Sequence, residues 1–315
     1  MGRGALMSKR ELSDALELRG NLLYNEPLRD HTSWRVGGAA ERMYFPADRD
    51  DLIGFLRSLP KDVPLFWLGL GSNVLVRDGG IKGVVVCTKN RLKAMRLTAD
   101  GTIYAEAGVP SAHVARFCAD RGLQGAEFLA GIPGTFGGAL AMNAGAFGGE
   151  TWPLVSKVLT VDRAGNVRER LAGEFQIGYR SVKGPKGEWF LAAELKLVPG
   201  DTVGSREHIK TLLARRAATQ PANQPSCGSV FRNPPGDFAA RLIESCGLKG
   251  RRLGDACVSA KHANFIVNLG DACADDIEHL IGLVREQVKL HHGICLDAEV
   301  RIVGEALAFN KEERK

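Results

Sequence analysis

Between Gly131 and Gly148 the chain reads GIPGTFGGALAMNAGAFG, without a single charged side chain. Glycines at 131, 134, 137, 138, 145 and 148, with alanines between them, leave much of this backbone bare. Bare backbone turns tightly and lets a large flat or diphosphate-bearing ligand approach closely. Pro133 stiffens the start of the segment, and Thr135 can donate a hydrogen bond. The plainer alternative is a buried helix start that needs small residues for packing. The length of the run and its lack of charge favour a cofactor cradle.

Earlier in the chain lies another glycine segment, the first of the two, GLGSNVLV from Gly69 to Val76, which follows an apolar run. Gly69 and Gly71 allow successive N–H groups to converge on an anion, and Ser72 and Asn73 add side-chain donors. A tight turn between strands reads equally well. The dinucleotide fingerprint is absent, because Val74 stands where it needs glycine and a strand, not a helix, follows. No Gly-Lys-Ser/Thr follows either, which excludes a Walker loop. Glycine is abundant along the whole chain, 38 of 315 residues, against a usual share of roughly 7%.

The remaining composition is that of an ordinary globular protein, 44% hydrophobic and 25% charged, long enough for two or three units that share a site. The net charge is +6. No Lys/Arg block is dense enough for nucleic acid, and the pairs Arg215-Arg216 and Arg251-Arg252 stand alone. A small phosphate-bearing ligand accounts for the charge as well. Seven cysteines without a CxxC fit neither a zinc ribbon nor a disulfide framework, so no metal is expected. Reduced cysteines point to the cytoplasm. The N-terminal MGRGALMSKRELSD lacks the apolar core of a signal peptide. No run approaches the ~18 apolar residues that span a bilayer. The expectation is a cytoplasmic protein with no nucleic-acid or membrane partner.

Periodicity predicts helices over 51–59, from Pro110 to Gly122, over 205–219 and over 238–246. A further helix, capped by Asp275 or Asp276, carries Ile277, Leu280, Ile281, Val284 and Val288 on one face and stops at Gly293. Strands are predicted over 63–67, 83–88, 103–108, 157–162, 191–197, 263–268 and 298–303. In the final strand, alternation puts Asp297, Glu299 and Arg301 on one face. The Pro-rich QPANQP (220–225) reads as a joint between units. The class is α+β with mixed sheets.

HTSWRVGG (31–38), the two glycine segments, GYRSV (178–182), CGSVFRNP (227–234), SAKHANFIVN (259–268) and LDAEVRIVG (296–304) follow one another in the chain. In this order, over roughly residues 20–305, they resemble the UDP-N-acetylenolpyruvoylglucosamine reductase (MurB) family. The resemblance implies a two-subdomain FAD-binding domain of the vanillyl-alcohol-oxidase/PCMH-like type over 21–202. A C-terminal α+β substrate-binding domain would cover 203–315, and residues 1–20 would form a leader or short helix. It implies reduction of UDP-N-acetylglucosamine enolpyruvate to UDP-N-acetylmuramate in peptidoglycan precursor synthesis, with FAD and NADPH as cofactors. NADPH would reduce FAD, leave, and be replaced by the UDP-sugar. A monomer is expected.

An enol ether is electron-rich and resists hydride, so the substrate carboxylate must take up the developing charge. That requires charge or donors placed in advance. A guanidinium matches a carboxylate in two bonds, which suits Arg180. By resemblance, Glu299 polarises the same carboxylate, as a neutral acid or through Arg180, and should have a raised pKa. Ser229 resembles the family's proton donor: a weak acid suffices against a strongly basic enolate-like centre. Gly69, Gly71, Ser72, Asn73, Ile132, Pro133, Gly134, Thr135, Gly137 and Gly138 are the expected FAD contacts. Tyr179, Arg232, Asn233 and Lys261 are the expected substrate contacts, and His262 is a weaker candidate. Cys227 is not taken as a nucleophile, since no His partner is evident. Members with a long tyrosine-bearing insertion differ here, because only a short Lys183–Glu188 hairpin separates Arg180 from the next strand. What closes the site over the UDP moiety is therefore left open. Another flavin oxidase of the same fold, acting on a hydroxy acid or sugar lactone, would share the cradle but lack Arg180, Ser229 and Glu299. A non-catalytic UDP-sugar-binding regulator would purify without yellow colour.

Overall fold

The computed structural model describes residues 18–307. The expected leader or short helix lies almost wholly outside the described residues.

The chain first builds a four-stranded sheet. Ala39–Phe45 pairs antiparallel with Asn21–Pro27 and parallel with Ile81–Cys87, which pairs parallel with Leu65–Leu68. The parallel pairs require a crossover, and helix α1 (Arg49–Ser58) supplies it. The Asp48 carboxylate accepts from the Asp51 N–H at 3.0 Å and starts the helix. Leu52, Phe55 and Leu56 then bury against Val84 and Val86 of the sheet.

A five-stranded antiparallel sheet follows, in the order Val167–Leu171, Val155–Asp162, Glu188–Leu195, Ile103–Glu106, Met95–Leu97. Helices α2 (Ser111–Ala119), α3 (Phe136–Met142) and α4 (Thr202–Thr219) accompany it. Val114, Cys118, Phe136, Leu140, Trp152 and Ile209 share its apolar core. Helix α4 starts three residues before the predicted Ser205, because the Asp201 carboxylate accepts from the Val203 and Gly204 N–H groups. Ile209 places α4 with this sheet. We therefore draw the division between the two large units at the 220–225 joint that follows α4, not at residue 203.

The C-terminal unit folds around a three-stranded sheet, Arg252–Leu253, Ala256–Val258 and Ile266–Asn268. Helices α5 (Ala239–Ser245) and α6 (Ala274–His292) pack into the same core. All five predicted stripe residues of α6 are buried, and Gly293 ends it at φ +69°. The cap differs from expectation. Cys273 is the capping residue, and the Asp276 carboxylate bonds back to its N–H at 3.2 Å. The carboxylate of Asp78, from the N-terminal part, accepts from the N–H groups of Ala274 and Asp275, both at 3.0 Å.

Two further ties hold the units together. Trp34 is fully buried in the C-terminal core, its indole N–H donating to the Ile266 carbonyl at 2.7 Å. The Asn268 amide donates back to the Trp34 carbonyl at 3.0 Å. The second tie is Arg301–Val303, which pairs parallel with Val74–Val76 at the end of the first glycine segment. This strand is shorter than the predicted 298–303. The residues before it leave this ladder, bend at Val300 and bond to a different neighbour, with Ala298 bridging Phe231 and the Glu299 N–H donating to the Val230 carbonyl at 2.8 Å.

Trp34→Ala should cost about 3–5 kcal/mol, the range for emptying an aromatic core site. Trp34→Phe, which mainly strands the Ile266 carbonyl, should cost about 1–3 kcal/mol. Urea unfolding midpoints measure both, and two near-wild-type values would show that this tie holds nothing together.

Candidate active site

The two glycine segments meet. A Cβ on Gly69 would lie 2.4 Å from the Thr135 hydroxyl oxygen, and one on Gly134 would lie 3.2 Å from that of Ser72. Between them and the C-terminal unit opens a cavity of about 820 Å³. All ten residues expected to hold FAD line it: Gly69, Gly71, Ser72, Asn73, Ile132, Pro133, Gly134, Thr135, Gly137 and Gly138. Gly71 has φ +61°, and a side chain there would drive into the His31 carbonyl at 2.2 Å, so the turn demands glycine. Among the described residues, the backbone N–H groups of Gly69 through Asn73 have no protein partner. Consecutive free N–H groups form an anion-binding concavity.

The segment over 131–148 lines the cavity, and the helix-start reading of it holds as well. It starts helix α3, with the Thr135 hydroxyl accepting from the Gly138 N–H at 3.4 Å. A capping hydroxyl keeps its own proton to give. The glycines also serve the cavity. A Cβ on Gly138 would meet only the Thr135 hydroxyl, at 3.7 Å, and would otherwise project into free space.

Arg180, Ser229 and Glu299 line the same cavity. Arg180 sits at the tip of a hairpin, Gln176–Gly178 paired with Ser181–Lys183, at φ +51°. That conformation costs a non-glycine residue about 1–2 kcal/mol. The guanidinium donates to the Gly145 carbonyl at 2.6 Å and to the Asn143 carbonyl at 3.5 Å. Its Nε stands 3.0 Å from the Glu299 carboxylate, an ion pair whose N–H is off the direct line to the oxygen. Both side chains are mostly buried, 18% and 17% exposed. Burial pushes the Glu299 carboxyl above its ordinary range, against the pull of Arg180 and Arg232. The rise was expected from a neighbouring substrate carboxylate, but the protein's own desolvation already provides it. Asn73 donates to the Glu299 carbonyl at 3.0 Å, so the cradle also fixes the position of this acid. Ser229 precedes Val230, whose carbonyl holds the Glu299 N–H.

The expected substrate contacts divide. Tyr179 lies at the rim, half exposed, with the Arg180 guanidinium 5.2 Å from its ring centre. Asn233 lines the cavity while its side-chain oxygen accepts from the Ala239 N–H at 3.1 Å, ahead of α5. Arg232 is outside the lining; it donates to the Arg180 carbonyl at 3.1 Å and acts from behind the hairpin tip. Lys261 is also outside, because its ammonium donates to the Ala217 carbonyl at the end of α4. Its neighbour His262 faces the cavity instead. Burial lowers the imidazole pKa, and Nδ1 accepts from the Asn264 N–H at 3.3 Å. Of Asp297, Glu299 and Arg301, only the last two reach the cavity.

Sequence reasoning missed Arg215, Arg216, Thr219 and Gln220, which bring the end of α4 to the cavity. Burial lowers the Arg216 pKa, with no carboxylate acting on it among the described residues. Arg215 lies 5.7 Å from the ring centre of Phe147, another lining residue. The arginine pair beside the Pro-rich joint was the available signal.

A family model described as an FAD binding domain matches residues 40–169. A second, described as the C-terminal domain of UDP-N-acetylenolpyruvoylglucosamine reductase, matches residues 220–303 and so begins where α4 ends. The chain is 69% identical to the UDP-N-acetylenolpyruvoylglucosamine reductase of Methylococcus capsulatus over 92% of this chain and 95% of that one. It is 58% identical to the enzyme of Alkalilimnicola ehrlichii over 91% and 96%. Among solved structures it resembles the reductase (MurB) from Thermus caldophilus, with a TM-score of 0.77 and 32% identity over 90% of this chain and 98% of that one.

The anion-binding turn, the bare face of α3 and the cavity's size fit FAD. Gly138→Ala should therefore separate cofactor binding from folding. Alanine favours α3 by about 0.5–1 kcal/mol, while its methyl group enters the cofactor space. The flavin-free protein should melt at or above the wild-type temperature, and FAD should bind at least several-fold more weakly by fluorescence titration. Unchanged affinity would move the cofactor away from α3. Both halves of the architecture are present and identity extends over nearly the full length, so the chain belongs to the UDP-N-acetylenolpyruvoylglucosamine reductase family of FAD-dependent oxidoreductases.

Proposed function

We propose that this reductase takes its hydride from NADPH and that Arg180, Glu299 and Ser229 carry the substrate half of the cycle. The observation that supports this reading best is the buried Arg180–Glu299 pair, 3.0 Å apart, in the cavity that Ser229 shares with both glycine segments. FAD, held by the two glycine segments, would supply hydride transfer between the nicotinamide and the terminal vinyl carbon of the substrate. The rest falls to side chains. Arg180, held by two carbonyls, presents its charge to the substrate carboxylate as negative charge builds there. Glu299 in its protonated form donates to the same carboxylate. Ser229 then gives its proton to the carbon bearing the carboxylate, so that one hydride and one proton convert the enol ether to the lactyl ether. Asn233 and His262 supply neutral donors toward the UDP-sugar. Arg216 and Arg215 supply positive charge at the α4 end of the cavity. The reading places a monomeric enzyme in the cytoplasm. No described helix is long and apolar enough to cross a membrane.

The two half-reactions, followed anaerobically by flavin absorbance, test the assignments. Ser229→Ala should leave reduction by NADPH within about twofold and slow reoxidation by the enolpyruvyl substrate by about 10²–10⁴. Equal losses in both halves would remove Ser229 from proton delivery. For Glu299, the raised pKa fixes the sign. The donating, protonated form persists to higher pH than for a solvent-exposed carboxyl, and the substrate half-reaction falls as pH rises through that pKa. Glu299→Gln should be slower by about 10²–10³ and lack this falling limb. A limb that survives in Glu299→Gln belongs to another group.

A further inference from the structure

We infer that Asn143 is a positioning residue for Arg180, joining the end of α3 to the hairpin that carries the guanidinium. Asn143 is fully buried and stops α3 in the left-handed conformation, φ +45°. Asparagine tolerates that region better than most residues, but a helix stop needs no buried amide, and glycine would end the helix as well. The amide is committed elsewhere. Its NH₂ donates to the Gly178 carbonyl at 3.2 Å and to the Glu150 carboxylate at 3.0 Å. Its oxygen accepts from the Trp152 N–H at 3.1 Å. Every hydrogen-bonding group of the side chain is thus used. Gly178 pairs with Ser181 across the hairpin, and Tyr179 and Arg180 form its tip. The backbone carbonyl of Asn143 accepts from the Arg180 guanidinium, as does that of Gly145 two residues on. Glu150 pairs with Gly145 in a short two-stranded ribbon. One side chain therefore fixes the tip end of the hairpin and the ribbon, while the backbone at 143 and 145 fixes the guanidinium. The separation between Arg180's anchor carbonyls and its own backbone is set through Asn143.

This inference rests on the assignment of Arg180 to the substrate carboxylate, and the test keeps the two apart. Asn143→Gly preserves the left-handed backbone and deletes only the amide. It should lower the rate of the substrate half-reaction by about tenfold, with flavin content unchanged and reduction by NADPH within twofold. In an Arg180→Ala background, where no guanidinium remains to position, the same substitution should add less than about twofold, the non-additivity of residues that act through one another. Glu150→Ala, which removes one anchor of the amide and leaves the helix stop intact, should show a smaller loss with the same dependence on Arg180. It decides the matter if Asn143→Gly does not fold. A full further loss in the Arg180→Ala background would overturn the inference, as would a parallel fall in flavin reduction. If Arg180→Ala slows the substrate half-reaction and both Asn143→Gly and Glu150→Ala run at the wild-type rate, this inference alone fails. If Arg180→Ala itself runs at the wild-type rate, the assignment of Arg180 fails and this inference with it.

Discussion

Three residues late in the chain, Arg301–Val303, hydrogen-bond in parallel to Val74–Val76 at the exit of the first glycine segment. Because a strand places successive residues at fixed intervals, that pairing determines where Glu299 lies relative to the cradle. It also brings the Glu299 carbonyl to the Asn73 amide and the Arg301 N–H to the Asn73 carbonyl. Glu299 is thus located by the same loop whose N–H groups, from Gly69 to Asn73, have no protein partner among the described residues. Without this ladder the cradle and the acid would belong to two units joined by a Pro-rich segment.

The buried pair of Arg180 and Glu299 is arranged so that Glu299 can change state while the guanidinium keeps its charge and its place. Taking two charges from water is unfavourable unless their remaining hydrogen-bonding groups are satisfied. Arg180 has the carbonyls of Asn143 and Gly145 in addition to Glu299. When Glu299 is protonated, the guanidinium is still held in place and its charge becomes available to a second carboxylate. Desolvation, which raises the Glu299 pKa, favours that protonated form. The left-handed conformation of Arg180 fits the same scheme, since strain of this kind persists only where neighbours over-determine it.

Much of this was legible in the residues. The five-residue stripe on α6, the glycine stop at 293 and the bare backbone of both glycine segments each follow from local chemistry, and each occurs as expected. The motif resemblance supplied Arg180, Ser229 and Glu299, which local patterning alone could not connect, since the hairpin, the turn and the strand they occupy are far apart in sequence. Direction of side chains was less legible. Lys261 and His262 are adjacent, and nothing local decides that the lysine bonds to the end of α4 while the imidazole faces the cavity. The α6 cap was misassigned because half of it comes from Asp78, a contact between distant segments. Asn143 went unnoticed for a related reason. Its bonds reach a hairpin and a ribbon whose proximity only the tertiary structure creates.

The ladder between Val74–Val76 and Arg301–Val303 also constrains the order of assembly. Asn73 and Glu299 are 226 positions apart, so the loop that must close before this contact forms is long, and non-local pairing of this kind is slow. On a ribosome the glycine turn emerges first, and the strand that completes its edge follows only after a long intervening stretch. The cavity wall at this turn is therefore finished late relative to the turn itself, and the edge at Val74–Val76 stays unpaired until then.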